Sequence, residues 1–168
     1  IIRWKGHPYL SVLVIFLSTG TNGFFMGYFS SSGMSFSLLS VFAACGVASI
    51  LVSLYPISQL FQLEEDQQRG DHTLALQIGV KGVRTYYFIT YSLGTILLSG
   101  SLSFINPRLA VFFFMASITG FMLTYSVLHK LQGTEKEYKQ VMSIKYLSSF
   151  SFLLYILIAA WYLHASLN

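Results

Sequence analysis

YPISQLFQLEEDQQRGDHTLALQIGVKGVR, residues Tyr55–Arg84, differs from everything else in this 168-residue chain. Four of the six acidic residues fall between Glu64 and Asp71, with Arg69, Lys81 and Arg84 close by. The stretch follows directly on one apolar run, Phe36–Tyr55, and leads into another, Tyr86–Phe104. A charged island between two runs long enough to cross a bilayer reads as a loop held at a membrane surface rather than as a free tail.

Working outward from it, a bilayer core of about 30 Å needs roughly 20 mostly apolar residues per helix. Five stretches qualify: Tyr9–Phe29, Phe36–Tyr55, Tyr86–Phe104, Leu109–Leu128 and Tyr146–Leu163, none with an Asp, Glu, Lys or Arg. The pattern predicts an all-α fold, a multi-span transmembrane bundle of about five helices. Composition agrees, since 54% of residues are hydrophobic and 10% charged, whereas soluble domains carry about 25% charged residues. The connections Ser30–Ser35 and Ile105–Arg108 are short. The loops 56–85 and 129–145 are long and hold most of the charge.

Nine of the ten Lys and Arg residues fall on the side of the N-terminus and the long loops: Arg3, Lys5, Arg69, Lys81, Arg84, Lys130, Lys136, Lys139 and Lys145. Only Arg108 falls on the other. An excess of Lys and Arg marks the cytoplasmic side. The predicted topology therefore has the N-terminus and charged loops in the cytoplasm and the C-terminus opposite. The net charge of +4 reads as this topology signal rather than as affinity for nucleic acid. The single cysteine, Cys45, excludes a disulfide framework within the chain. Small residues inside the spans, such as Gly20, Gly46 and Gly94, suit close helix packing.

If the helix of the second span continues past Pro56, Gln59, Gln62 and Asp66 share one face, with Glu65 beside it. Oxygen-bearing side chains at a helix end suit Mg²⁺, which takes one or two carboxylates and completes its shell with waters and phosphates. The alternative from the residues alone is a solvated charged loop laced with Glu–Arg pairs. Asp71 serves either as a ligand or as the cap of a helix over Thr73–Ile78.

The order Glu64-Glu65-Asp66, Arg69-Gly70-Asp71, Thr73-Leu74-Ala75, Gly79 and Gly82, directly after a span, resembles the second aspartate-rich region of the UbiA-type intramembrane prenyltransferases. Asp66, Gly70, Thr73, Leu74, Ala75 and Gly79 carry the match, with Lys81 following the glycine. The start, Ile2-Arg3-Trp4-Lys5-Gly6-His7-Pro8, is similar to the basic stretch entering that family's fifth helix. The order of spans then resembles helices five to nine of a nine-helix bundle. Two departures stand out. Gln62 occupies the place of a common aspartate four residues before Asp66, and the family's first aspartate-rich motif, beginning Asn-Asp, is absent. Residues 1–168 thus read as the C-terminal part of one prenyltransferase-like domain, whose N-terminal helices lie elsewhere in the same or a separate chain.

The resemblance implies Mg²⁺-dependent transfer of a prenyl group from a polyprenyl diphosphate to an aromatic or other small acceptor within the membrane. It implies Asp66, Glu65 and Gln62 as catalytic residues and Asp66, Glu65, Gln62 and Asp71 as metal ligands. Lys81, Arg69, Lys5 and Arg3 are the implied diphosphate contacts. This chain alone, with half of the metal site, is expected to be inactive. The other reading is a non-catalytic multi-span scaffold or transporter subunit, although no ionisable residue of the kind a transporter places at mid-membrane occurs in any span.

Overall fold

A computed structural model of the chain describes residues 7–30 and 36–167. The basic stretch with Arg3 and Lys5, and most of the first short connection, lie outside the described residues. Every regular element among the described residues is helical. Helix α1 spans Pro8–Ser30 and α2 spans Leu38–Leu54. A 3₁₀ segment, Pro56–Gln62, leads into the short α3, Leu63–Arg69. Helix α4 is Leu74–Ser103 and α5 is Pro107–Leu128. A 3₁₀ turn at Glu135–Glu137 precedes α6, Tyr138–Leu167.

Local sequence sets these boundaries. All three prolines, Pro8, Pro56 and Pro107, start helical segments, where a missing N–H costs nothing. Ser37 and Ser40 form a reciprocal capping box at the start of α2, and the Asn106 side chain accepts from the N–H groups of Arg108 and Leu109. Within α1 the turn Phe16–Thr21 widens to a π-helix. Thr21 Oγ1 donates to the Phe16 carbonyl at 3.0 Å, tying the widened turn with a side chain.

The long helices pack side by side as α1, α2, α4, α5 and α6. Their most extensive contact is between α2 and α4. A Cβ on Gly46 would lie 2.8 Å from the Leu98 amide nitrogen, and one on Gly94 would lie 2.7 Å from the Gly46 carbonyl oxygen. Hydrogen in place of a side chain lets the backbones touch, the usual way membrane helices gain van der Waals contact. Gly20 meets Ala48 across the α1–α2 contact in the same manner.

The most fully buried cluster lies toward the charged loops. Ile57, Leu60, Ala75, Val83, Tyr87, Leu128, Leu131, Val141 and Ile144 form it. Both long loops join at that end. Arg84 donates to the Leu131 carbonyl at 2.8 Å, Phe61 packs edge-on against Tyr138, and Glu137 accepts from the backbone N–H groups of Gln132, Gly133 and Thr134. Elsewhere the helices expose large apolar side chains such as Leu38, Ile96, Met115 and Phe150. In water such a surface would drive association; here it is the surface a bilayer covers.

The chain is an integral membrane protein. Among the described residues four helices are long and apolar enough to cross a bilayer: Pro8–Ser30, Leu38–Arg69, Pro107–Leu128 and Glu135–Ala165. The expected span Tyr86–Phe104 lies within or just beyond α4, whose Tyr, Ser, Thr and Gly residues lower its hydropathy. Helix α4 packs against α2 on one side and α5 on the other, and helix neighbours, unlike lipid, accommodate small and polar residues.

Candidate functional site

At the loop end of α2 the chain folds back on itself around a cavity of about 200 Å³. Ser11, Tyr55, Ser58, Gln59, Gln62, Asp66, Asp71, Thr73 and Leu74 line it. Asp66 is 6% exposed, so its carboxylate belongs to the cavity wall rather than to bulk water. The expectation that Gln59, Gln62 and Asp66 share a face holds, but the helix type differs. Residues 56–62 are 3₁₀ rather than α, and three residues per turn place Gln59 and Gln62 one above the other.

Two turns then bring distant residues back. Helix α3 ends at Gly70, with φ +70°. The Gly70 N–H donates to the Gln67 carbonyl and the Asp71 N–H to the Asp66 carbonyl at 2.9 Å, the Schellman arrangement that needs a left-handed residue. That reversal returns Asp71 to the side of Asp66. Thr73 Oγ1 then donates to Asp66 Oδ2 at 3.0 Å, which fixes the rotamer of the carboxylate while leaving its other oxygen free of this bond.

The start of α4 is satisfied from outside the helix. Its N-cap residue is Thr73, whose side chain makes no capping bond. Instead Gln59 Oε1, buried, accepts from the Ala75 N–H at 3.1 Å. The reading of Asp71 as a cap over Thr73–Ile78 is therefore corrected. Thr73 holds the cap position, Gln59 satisfies an orphan amide there, and Asp71 lines the cavity. Gly79, within the matched motif, has φ +66° and ψ 174°, a conformation open essentially to glycine alone. It breaks α4, so that Leu74–Ile78 forms a short piece aimed separately from the remainder of the helix.

The expected site residues thus divide. Asp66, Gln62 and Asp71 come together at the cavity. Glu65 does not line it and pairs instead with Arg69 one turn along α3, both partly solvent-exposed. Lys81 is exposed on α4 and does not line the cavity either. Arg3 and Lys5 lie outside the described residues. Sequence reasoning missed Ser11, Tyr55, Ser58 and Thr73 as lining residues, and it missed the role of Gln59. The signal for two of them was present in Tyr55-Pro56-Ile57-Ser58-Gln59, where polar residues interrupt an apolar run at the membrane surface.

Among the described residues no three His, Cys, Asp or Glu side chains gather as a metal cluster. The cavity's donors are two carboxylates, two carboxamides and several hydroxyls. All are hard oxygen ligands, and two carboxylates are what Mg²⁺ takes from a protein when phosphate and water supply the rest. The donor set therefore fits part of a Mg²⁺–diphosphate shell.

A second pocket of about 300 Å³ lies deeper, between α2, α4, α5 and α6. Its lining is mostly aliphatic and aromatic, and it adjoins the polar cavity in sequence, Leu54 lining one and Tyr55 the other.

The molecule is thus a bundle of apolar helices with a carboxylate-bearing cavity at its loop end and an apolar pocket between α2, α4, α5 and α6. A family model for the UbiA prenyltransferase family matches residues 2–150. The chain belongs to that family, and membership points to prenyl transfer within the membrane. No curated protein and no solved structure matches it.

Proposed function

We propose that this chain supplies the second aspartate-rich part of the site of a membrane prenyltransferase. The donor is a polyprenyl diphosphate and the acceptor an aromatic or other small molecule. The observation that carries the reading is the buried Asp66, bonded by Thr73 and facing a cavity of oxygen donors that includes Asp71 and Gln62, within a chain of this family.

Asp66 and Asp71 are the proposed carboxylate ligands of Mg²⁺, with Gln62 as a neutral oxygen donor in place of a third carboxylate. Glu65 is a weaker candidate, since it must first leave Arg69. Mg²⁺, when bound, neutralises the diphosphate that departs from the allylic carbon. The residues of the chain orient and surround that event. Thr73 holds Asp66 in one rotamer, Gln59 anchors the segment carrying Thr73, and the apolar pocket excludes water from the allylic end. Lys81, Arg69, Lys5 and Arg3 are the proposed cationic contacts to diphosphate. Those of Lys81 and Arg69 depend on long exposed side chains swinging inward on binding. The proposed topology keeps the N-terminus and charged loops in the cytoplasm, from which a diphosphate reaches the cavity.

The test is Asp66→Asn in the complete protein, an isosteric change that still accepts the Thr73 bond. Mg²⁺-dependent release of diphosphate should fall by at least about a hundredfold, corresponding to the roughly 3 kcal/mol that one well-placed charge-stabilising group supplies. Thermal unfolding in detergent should stay near wild type. Activity within a fewfold of wild type removes Asp66 from the reaction. For the chain expressed alone, the expectation is no turnover.

A further inference from the structure

Two arms of chain carry the carboxylates of the polar cavity. Pro56–Arg69 brings Gln62 and Asp66; the segment after Gly70 brings Asp71 and Thr73 and runs through the Gly79 break into the rest of α4. The loop between α5 and the 3₁₀ turn Glu135–Glu137 seats Gly133 between these arms. A Cβ on Gly133 would lie 2.7 Å from Leu63 Cδ1 on the first arm and 2.9 Å from Val80 Cγ2 on the second. Gly133 also has φ +89°, where a side chain is strained. Leu63 lies one turn of α3 before Asp66, and Val80 directly follows Gly79.

The loop has the stiffness that such a wedge requires. Glu137 accepts from the N–H groups of Gln132, Gly133 and Thr134 at 2.7, 2.7 and 3.0 Å, so three successive backbone donors are tied to one carboxylate. Arg84 fastens the loop to α4. Its Nη2 donates to the Leu131 carbonyl at 2.8 Å, its charge acts on Glu137, and Leu131 is 2% exposed. Arg84 does not line the cavity around Asp66 and its Nε is buried, so the guanidinium is committed to the loop.

We propose that Arg84 and Gly133 are positioning residues for the site around Asp66: they latch the α5–α6 loop onto both arms and so set how Asp66 and Asp71 face each other. The arms join at Gly70, which turns the chain without a side chain to restrain it, and the wedge sets their spacing from beyond the turn. The latch rests on the proposed function for what the two carboxylates bind, Mg²⁺ with diphosphate. Its own residues touch neither.

The experiment compares Arg84→Met, Arg84→Lys and Gly133→Ala with wild type, each as the complete protein in detergent. Met keeps the apolar stem and donates nothing; Lys restores a charged donor. Without substrate, amide hydrogen exchange over residues 63–78 should rise in Arg84→Met and Gly133→Ala, while the α2–α4 contact at Gly46 and Gly94 stays protected. The Mg²⁺ concentration giving half-maximal diphosphate release should rise about tenfold or more, the usual effect of losing a group that orients a metal ligand. Turnover at saturating Mg²⁺ should stay within about twofold of wild type on the same scale, and Arg84→Lys should recover most of the loss. Wild-type exchange over residues 63–78 in both disruptive variants would overturn the latch and leave the function standing. Turnover lowered equally at every Mg²⁺ concentration would overturn it too, because the loop would then only stabilise the fold. If wild type releases no diphosphate with Mg²⁺, the proposed function fails and the role given to the latch fails with it.

Discussion

Gln59→Leu tests how the cavity is assembled. Gln59 is 7% exposed and its Oε1 accepts the Ala75 N–H at 3.1 Å, across a separation of 16 residues. Leucine fills a similar volume but accepts nothing, leaving a buried amide at the start of α4 without a partner. An orphaned buried donor costs about 1–3 kcal/mol, which corresponds to a local opening about 5- to 140-fold more frequent. The loss falls on the piece Leu74–Ile78, because Gly79 separates it from the rest of α4. Amide hydrogen exchange in detergent should therefore show weaker protection over residues 74–78, with the α2–α4 contact around Gly46 and Gly94 unchanged. Gln59→Glu keeps an acceptor and places a negative charge at a helix N-terminus, where it is favoured; it should restore protection. Equal protection in Gln59→Leu and wild type would refute the claim that this bond holds the segment. So would a Glu variant as labile as the Leu variant.

The remaining expectations concern other parts of the same frame. Gly46→Leu forces α2 and α4 apart and should cost about 1–3 kcal/mol or more, seen as a lower unfolding temperature in detergent; a wild-type value would show that the crossing yields. Gly79→Ala meets no neighbour within 4 Å, so its cost of about 1–3 kcal/mol is purely backbone strain. It should weaken Mg²⁺-dependent activity by redirecting Leu74–Ile78, and unchanged activity would mean that the break is not needed. Glu65→Ala should change stability by no more than about 1 kcal/mol, as an exposed pair within one helix contributes little, and should reduce activity far less than Asp66→Asn. A loss as deep as that of Asp66→Asn would place Glu65 among the metal ligands after all.

Much of this protein was legible in one dimension. Runs of some twenty apolar residues have few options in a bilayer, since every backbone N–H and C=O must be satisfied within the segment, so the helices follow from composition and length. Their starts followed from Pro8, Pro56, Pro107, Ser37 and Asn106, whose effects reach only one turn. The run Tyr86–Phe104 was legible as a helix, but its packing against α2 and α5 was not, because hydropathy counts side chains and does not know which neighbours they meet. The motif around Asp66 was legible because its spacing is local and its carboxylate is rare in so apolar a chain.

What the tertiary structure alone decided is which oxygens face one another. Glu65 and Asp66 are adjacent in sequence, yet one pairs with Arg69 at the surface and the other is buried against Thr73. Asp71 became a cavity residue instead of a cap because Gly70 turns the chain back and Gln59 already satisfies the helix start. These outcomes depend on contacts between residues several to many positions apart. Sequence pattern reaches one helical turn; a cavity assembled from α1, the 3₁₀ segment, α3 and α4 is settled only when those elements pack.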